Sequence, residues 1–280
     1  MMETICEKVG CSTASLFKRY KTEDAITTMK ELGVDVAEVF LGGYYEYTPV
    51  FAELLRRRLM ENDMVCSSIH SLSTQFEPRL FSTRAELSRR AEEIYRRVLE
   101  AGRRLGAKYY VMHGPVRVNM GSRLNGEYVG PRVQRLGSIA WEYGITLTME
   151  NVHWCLVSSP REVETLNPYV DGETVGYTFD YKQAMQSGHD PLLYLEAMGD
   201  KLKNVHMCGA VKGADGVIQT GLPDPNAPGL IAVKEKLREM NYDGPIVLEV
   251  YERDYGEVEE LRECMAGLNS LFYGNDGVKK

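Results

Sequence analysis

The chain has 280 residues, with 33 basic against 40 acidic side chains and a net charge of −7. That balance argues against a nucleic-acid partner, because duplex affinity is built largely from Lys and Arg neutralising phosphates. A hydrophobic content of 44% with 26% charged residues is that of a globular protein, which excludes wholesale disorder. No apolar run approaches the ~20 residues of a membrane helix. The opening Met1-Met2-Glu3-Thr4-Ile5-Cys6-Glu7-Lys8 is acidic and lacks a long apolar stretch, so it does not read as a signal peptide. Six cysteines (Cys6, Cys11, Cys66, Cys155, Cys208, Cys264) are sparse and contain no Cys-x-x-Cys pair. They read as reduced thiols of a cytoplasmic protein, mostly small core hydrophobes.

Short apolar runs alternate with helical patterns along the chain. Strands are predicted at 8–11, 36–41, 65–70, 109–113, 146–150, 175–180, 204–207 and 246–251. The first helix starts at Thr22-Glu23-Asp24, runs to about Leu32 and stops at Gly33, following the preference for Ser or Thr at the start and Gly just past the end. Thr48-Pro49 opens the second, with proline where its missing N–H costs nothing. The third, 83–105, carries Leu87, Ala91, Ile94, Val98 and Leu105 on one face with arginines opposite, and ends at Gly106. Further helices are predicted at 131–143, 160–166, 191–198, 230–240 and 257–273. The Gly- and Pro-rich segment 207–229 reads as a long loop, suited to a lid or an oligomer contact.

Eight strands alternating with eight helices imply a parallel sheet, and closing it gives a (β/α)8 TIM barrel, here a single domain over 1–280. An open doubly wound sheet would usually carry a Gly-rich phosphate loop after its first strand. Ser12-Thr13-Ala14-Ser15-Leu16 stands there instead.

Barrel enzymes work at the C-terminal ends of their strands. Those ends hold His70, His113, Glu150, Asp180, His206 and Glu249, with His153 just beyond Glu150. A carboxylate closing an apolar strand must be paired, protonated or bound to a cation. Glu150, Asp180, His206 and Glu249 come from the last four strands, and neighbouring strands lie about 4.8 Å apart, so the four can converge. Three carboxylates and one imidazole suit Mn2+ or Mg2+ and accept Zn2+ or Co2+. The alternative is that each is an ordinary ion-pair partner of a nearby Lys or Arg.

The chain resembles the xylose-isomerase-like TIM barrels, in particular the sugar phosphate isomerase/epimerase group. The resemblance rests on residues 31–40 (Glu-Leu-Gly-Val-Asp-Val-Ala-Glu-Val-Phe), Met112-His113-Gly114, Met149-Glu150-Asn151, Asp180, Asn204-Val205-His206-Met207 and Val247-Leu248-Glu249-Val250. It implies that Glu150, Asp180, His206 and Glu249 hold one divalent metal, for which the donor set puts Mn2+ first, and that His70 and His113 line the substrate pocket. Two departures stand out. Relatives often carry His three residues after the sixth-strand Asp, where this chain has Gln183. Ketose epimerases often place a substrate-binding Arg six residues after the seventh-strand His, where this chain has Lys212.

The resulting expectation is a metal-dependent isomerase or epimerase of a small sugar or keto-sugar acting through an enediolate, with Glu150 and Glu249 moving the protons. The runner-up is a lyase or dehydratase on a keto-sugar or inositol derivative, with His153 as acid; a solvent-facing loop histidine is the plainer reading of His153. An apurinic endonuclease would need further histidines that Gln183 and the segment after His206 do not supply. A non-enzymatic sensor is the remaining class. Trp154 and the aromatics of 42–47 are placed on the rim, where they would stack on a sugar ring or pack against neighbouring loops. His189 reads as a surface residue. A carbohydrate substrate, no membrane and a homo-oligomer complete the expectation.

Overall fold

The computed structural model describes residues 8–119 and 121–274. Eight strands close the barrel: β1 (Gly10–Ser12), β2 (Val36–Leu41), β3 (Val65–Ser71), β4 (Tyr109–Met112), β5 (Thr146–Glu150), β6 (Val175–Asp180), β7 (Leu202–Met207) and β10 (Ile246–Leu248). Their order is β1-β10-β7-β6-β5-β4-β3-β2, closed, and each neighbouring pair is parallel. The two remaining strands, β8 (Gly209–Lys212) and β9 (Ile218–Gly221), form a separate antiparallel hairpin. The helices are α1 (Thr22–Glu31), α2 (Pro49–Glu61), α3 (Glu77–Leu80), α4 (Ala85–Leu105), α5 (Gly126–Trp141), α6 (Pro160–Leu166), α7 (Tyr181–Gln186), α8 (Pro191–Met198), α9 (Pro228–Glu239) and α10 (Glu259–Tyr273). The expected TIM barrel is the observed fold.

The departures from the predicted elements have local causes. Helix α5 begins before Pro131, because the Asn125 side chain accepts the Tyr128 N–H at 3.2 Å and caps an earlier turn. The buried face of α4 runs through Ala91, Tyr95, Val98, Gly102 and Leu105, while Leu87 is 38% exposed. Gly102 sits where the helix meets the barrel wall: a Cβ there would fall 2.4 Å from Ile69 Cδ1. Segment 207–229 is no structureless loop. The turn through Ala214-Asp215-Gly216 reverses the chain, with Gly216 at a φ of +83°, and Thr220 Oγ1 donates to Asp254 Oδ1 at 2.8 Å, anchoring the hairpin beside the barrel mouth.

The free cysteines Cys11, Cys66, Cys155, Cys208 and Cys264 are buried, and Cys6 lies outside the described residues. Among the described residues, no helix is long and apolar enough to cross a membrane.

Candidate active site

The parallel strands aim their C-terminal ends at one mouth, and the polar side chains gather there. One ligand atom from each of Glu150, Asp180, His206 and Glu249 lies within 4.8 Å of the other three. Glu150 and Asp180 close β5 and β6, His206 is the penultimate residue of β7, and Glu249 follows β10. Its N–H donates to Met207 O at 2.9 Å, continuing the strand pairing past the last assigned residue. Glu150, Asp180 and His206 are buried, and Glu249 keeps 12% of its side chain exposed.

His206 sits at the centre. Its Nδ1 lies 3.2 Å from Glu150 Oε1 and 3.4 Å from Glu249 Oε2. Its Nε2 lies 2.9 Å from Glu38 Oε2. Burial works against the protonated ring, yet the Glu38 and Glu249 charges and the Glu150 hydrogen bond hold its pKa well above the ordinary histidine value.

Glu38 was given no role by the sequence pattern, and the structure places it under the site. The register of β2 against β3 shifts between Ala37 and Glu38. Past that irregularity Glu38 stands opposite Ser68, whose hydroxyl donates to Glu38 Oε2 at 2.7 Å. Burial raises the Glu38 carboxyl, but the His206 charge and hydrogen bond outweigh it and leave the pKa below the usual value. The available signal was a lone acid inside the apolar run Val36-Ala37-Glu38-Val39-Phe40-Leu41.

His70 and His113 flank the cluster. Their Nε2 atoms are 3.0 Å apart, so one ring donates and the other accepts. His70 Nδ1 lies 3.4 Å from Glu249 Oε1, and His113 Nε2 lies 3.0 Å from Glu150 Oε2. Burial lowers the His70 pKa, but the Glu249 hydrogen bond and charge raise it, leaving it at about 9. For Glu150, burial is likewise overcome, by the His113 and His206 hydrogen bonds, and its pKa falls far below the carboxylate range. His113 is held from behind. Its Nδ1 pairs with Ser73 Oγ at 2.7 Å, and its backbone N–H donates to Glu77 Oε2 at 3.0 Å. Glu77, another buried acid, also accepts from Tyr110 Oη at 2.5 Å.

A second residue outside the predicted set is Lys182, in the first turn of α7. Its Nζ lies 3.5 Å from both Asp180 Oδ2 and Glu249 Oε2. The ion-pair alternative is thus realised for two of the four strand-end residues. Burial lowers the Lys182 pKa, but Asp180 and Glu249 carry it well above the ordinary lysine value. Burial raises the Asp180 carboxyl to about 6 despite that ammonium, with Glu150 and Glu249 adding to the rise. Lys182 and His206 also overcome burial at Glu249, whose pKa lies well below the usual range.

The other predicted site residues lie farther out. The Trp154 ring packs edge-on against His113, with centroids 5.2 Å apart. His153 is tied to Gln183 Oε1, by its N–H at 3.1 Å and its Nδ1 at 2.5 Å. Gln183 therefore fills the place beside Asp180 with an amide that orients a histidine. Lys212 is exposed on the hairpin, and His189 is exposed ahead of α8. On the rim, Tyr44 and Tyr45 are exposed, and Tyr47 is buried with its hydroxyl 2.6 Å from Gln75 Oε1.

The donor set fits a hard divalent cation. Three carboxylates and an imidazole nitrogen converge, and Asp180 Oδ2 is buried without a hydrogen-bond donor. A ligating histidine commonly gives its other N–H to a carboxylate, and Glu38 occupies that place. A further grouping of His70, His113 and Glu150 shares Glu150 with the first.

The family profile described as Xylose isomerase-like TIM barrel matches residues 26–271. The chain belongs to that family. The sequence matches no curated protein. Among solved structures it is similar to D-allulose 3-epimerase from Methylomonas sp. in complex with D-allulose, at 16% identity, 95% and 97% coverage of the two chains and a TM-score of 0.75. It is similar to 3-keto-D-glucoside 4-epimerase from E. coli, at 17% identity, 94% and 99% coverage and a TM-score of 0.71. It is also similar to the IOLI protein with a zinc atom bound, at 16% identity, 97% and 99% coverage and a TM-score of 0.76.

Proposed function

We propose that this chain is a divalent-metal-dependent isomerase or epimerase of a small sugar or keto-sugar, working through an enediolate. The observation that carries the reading is the convergence of Glu150, Asp180, His206 and Glu249 at the barrel end where this architecture does its chemistry. Structural neighbours that act on D-allulose and on a 3-keto-D-glucoside, and one that binds zinc, support it.

In this reading those four residues hold the cation, Mn2+ before Mg2+, Co2+ or Zn2+. When bound, the cation supplies Lewis acidity, polarising the substrate carbonyl and stabilising the charge of the enediolate. Glu150 and Glu249 reach His206 Nδ1 from two different strands, at 3.2 and 3.4 Å. One takes the proton from the carbon beside the carbonyl, and the other returns a proton to the opposite face. Each carboxylate has two oxygens, so holding the cation with one leaves the other for the proton. Their depressed pKa values leave both free of protons at neutral pH. Glu150 therefore takes the substrate proton, and Glu249 delivers one drawn from protonated His70, whose Nδ1 lies 3.4 Å from Glu249 Oε1. The proton held by Glu150 passes to water at the end of the cycle. His70 and His113 hold substrate hydroxyls, Trp154 offers an apolar surface to the sugar ring, and Lys212 contributes a donor from the hairpin. His153, oriented by Gln183, stands as a reserve acid.

Conversion of a panel of ketoses and keto-sugars by the purified protein tests this. EDTA should abolish turnover and Mn2+ should restore it. Glu249→Gln should retain metal but lose roughly 10²–10⁴-fold in kcat, the usual weight of general acid–base catalysis. Full turnover after complete metal removal, or near-normal turnover by metal-loaded Glu249→Gln, overturns the mechanism. Loss of water from a keto-sugar or inosose, abolished by His153→Ala, would move the assignment to a lyase.

A further inference from the structure

Lysine is among the residues least often fully buried, and then almost always paired. Lys182 is only 2% exposed, and its Nζ stands 3.5 Å from Asp180 Oδ2 and 3.5 Å from Glu249 Oε2. The ammonium also lies 4.4 Å from the centroid of the Tyr251 ring, over its face. Asp180 and Glu249 are two of the four residues assigned above to the cation, and Asp180 Oδ2 has no hydrogen-bond donor. The ammonium and a divalent cation therefore seek the same carboxylates.

We propose that Lys182 is a tethered counter-cation of the metal site, which holds Asp180 and Glu249 in the metal-free protein and must yield them when a divalent cation loads. The inference rests on the reading of Glu150, Asp180, His206 and Glu249 as metal ligands. Two consequences follow from charge. Three carboxylates around a divalent cation leave one negative charge, which Lys182 cancels in the loaded site. Before loading, the same ammonium repels the incoming cation and occupies its ligands, so Lys182 weakens metal binding. Removing it lets the Asp180–Glu249 pair take up one proton, which relieves their mutual repulsion, but a unit charge repels a divalent cation twice as strongly as it repels that proton. The gain in metal affinity therefore survives that competition. The first turn of α7 fixes the arrangement, since the Asp180 side chain accepts the Gln183 N–H at 2.7 Å and sets where the helix begins.

The test is Mn2+ binding to EDTA-stripped protein by calorimetry, with the metal-induced rise in Tm as a second reading. Lys182→Met, which keeps the stem and removes the charge, should bind Mn2+ at least about tenfold more tightly than the unaltered chain. Its Tm should be lower without metal and rise more when metal is added. Lys182→Arg, which keeps the charge, should stay within about threefold of the unaltered chain, well short of the charge-removal effect. If Lys182→Met does not fold without metal, protein purified with Mn2+ should release it to a chelator more slowly than the unaltered chain. Equal or weaker Mn2+ affinity in Lys182→Met, or equal or faster release, overturns the inference. Absence of Mn2+, Co2+, Mg2+ and Zn2+ binding by the unaltered chain would instead sink the metal site itself.

Discussion

The outer face of α4 and the barrel mouth are both dense in opposite charges, and they obey different physics. On α4, Arg89 meets Glu86 at 3.0 Å, Arg90 meets Glu86 at 2.8 Å, and Arg103 and Arg104 meet Glu100 at 2.8 Å. These side chains stay in water, so each pair gains little over its solvated parts. At the mouth, Glu38, Glu150, Asp180, Lys182 and His206 are withdrawn from water. Each such charge needs compensation from a neighbour, because desolvation is far more costly than a surface pair is favourable. The same residue types thus serve solubility and helix support in one place, and form a buried, mutually compensating cluster in the other. A fold gains nothing in stability from concentrating three carboxylates around one imidazole, so this arrangement points to chemistry.

The comparison breaks most visibly at Glu38. Glu38→Ala leaves the His206 ring and the Ser68 hydroxyl buried without their acceptor, and should cost about 3 kcal/mol, the scale for breaking a buried pair. Urea unfolding at pH 7.5 measures it. A loss as small as that of a surface variant would mean that Glu38 is not the partner that compensates His206.

A smaller effect follows from His70. Its pKa in the fold is about 9, above the ordinary 6.5. A raised histidine contributes stability that is complete below pH 6.5 and is lost as the pH climbs through 9. In the chelator-treated protein His70 should therefore account for about 3 kcal/mol lost between pH 6.5 and 9.5, and His206, also raised, adds a loss of the same sign. Asp180, at about 6, has finished most of its change below that window. His70→Asn should make the profile measured by denaturant unfolding at each pH shallower, leaving the His206 share, and an unchanged slope would remove His70 as a source.

The smallest effect belongs to the surface. Arg89 has 59% of its side chain exposed, and Arg89→Ala should leave the Tm within measurement error. A clear loss there would show that the α4 charges act as a network and not as separate solvated pairs.

The amino-acid sequence by itself determined the barrel and much of its mouth. Alternating short apolar runs and amphipathic helices leave parallel closure as the natural way to bury both faces of eight strands. Acids and histidines at strand ends, such as Glu150, Asp180 and His206, were visible because an apolar run stops there. What only the tertiary structure decided were the residues that no periodicity marks. Glu38 lies within a strand, and the register shift against β3 accompanies its burial beneath His206. Lys182 stands two residues past Asp180 on a short helix, where sequence permits either solvent or interior; the start of α7 and the Tyr251 ring commit it to the interior. The His70–His113 contact joins two separate strand ends. Local pattern fixes where a side chain leaves the backbone, but contact across a barrel depends on register and tilt summed over many strands, and only the folded chain carries that sum.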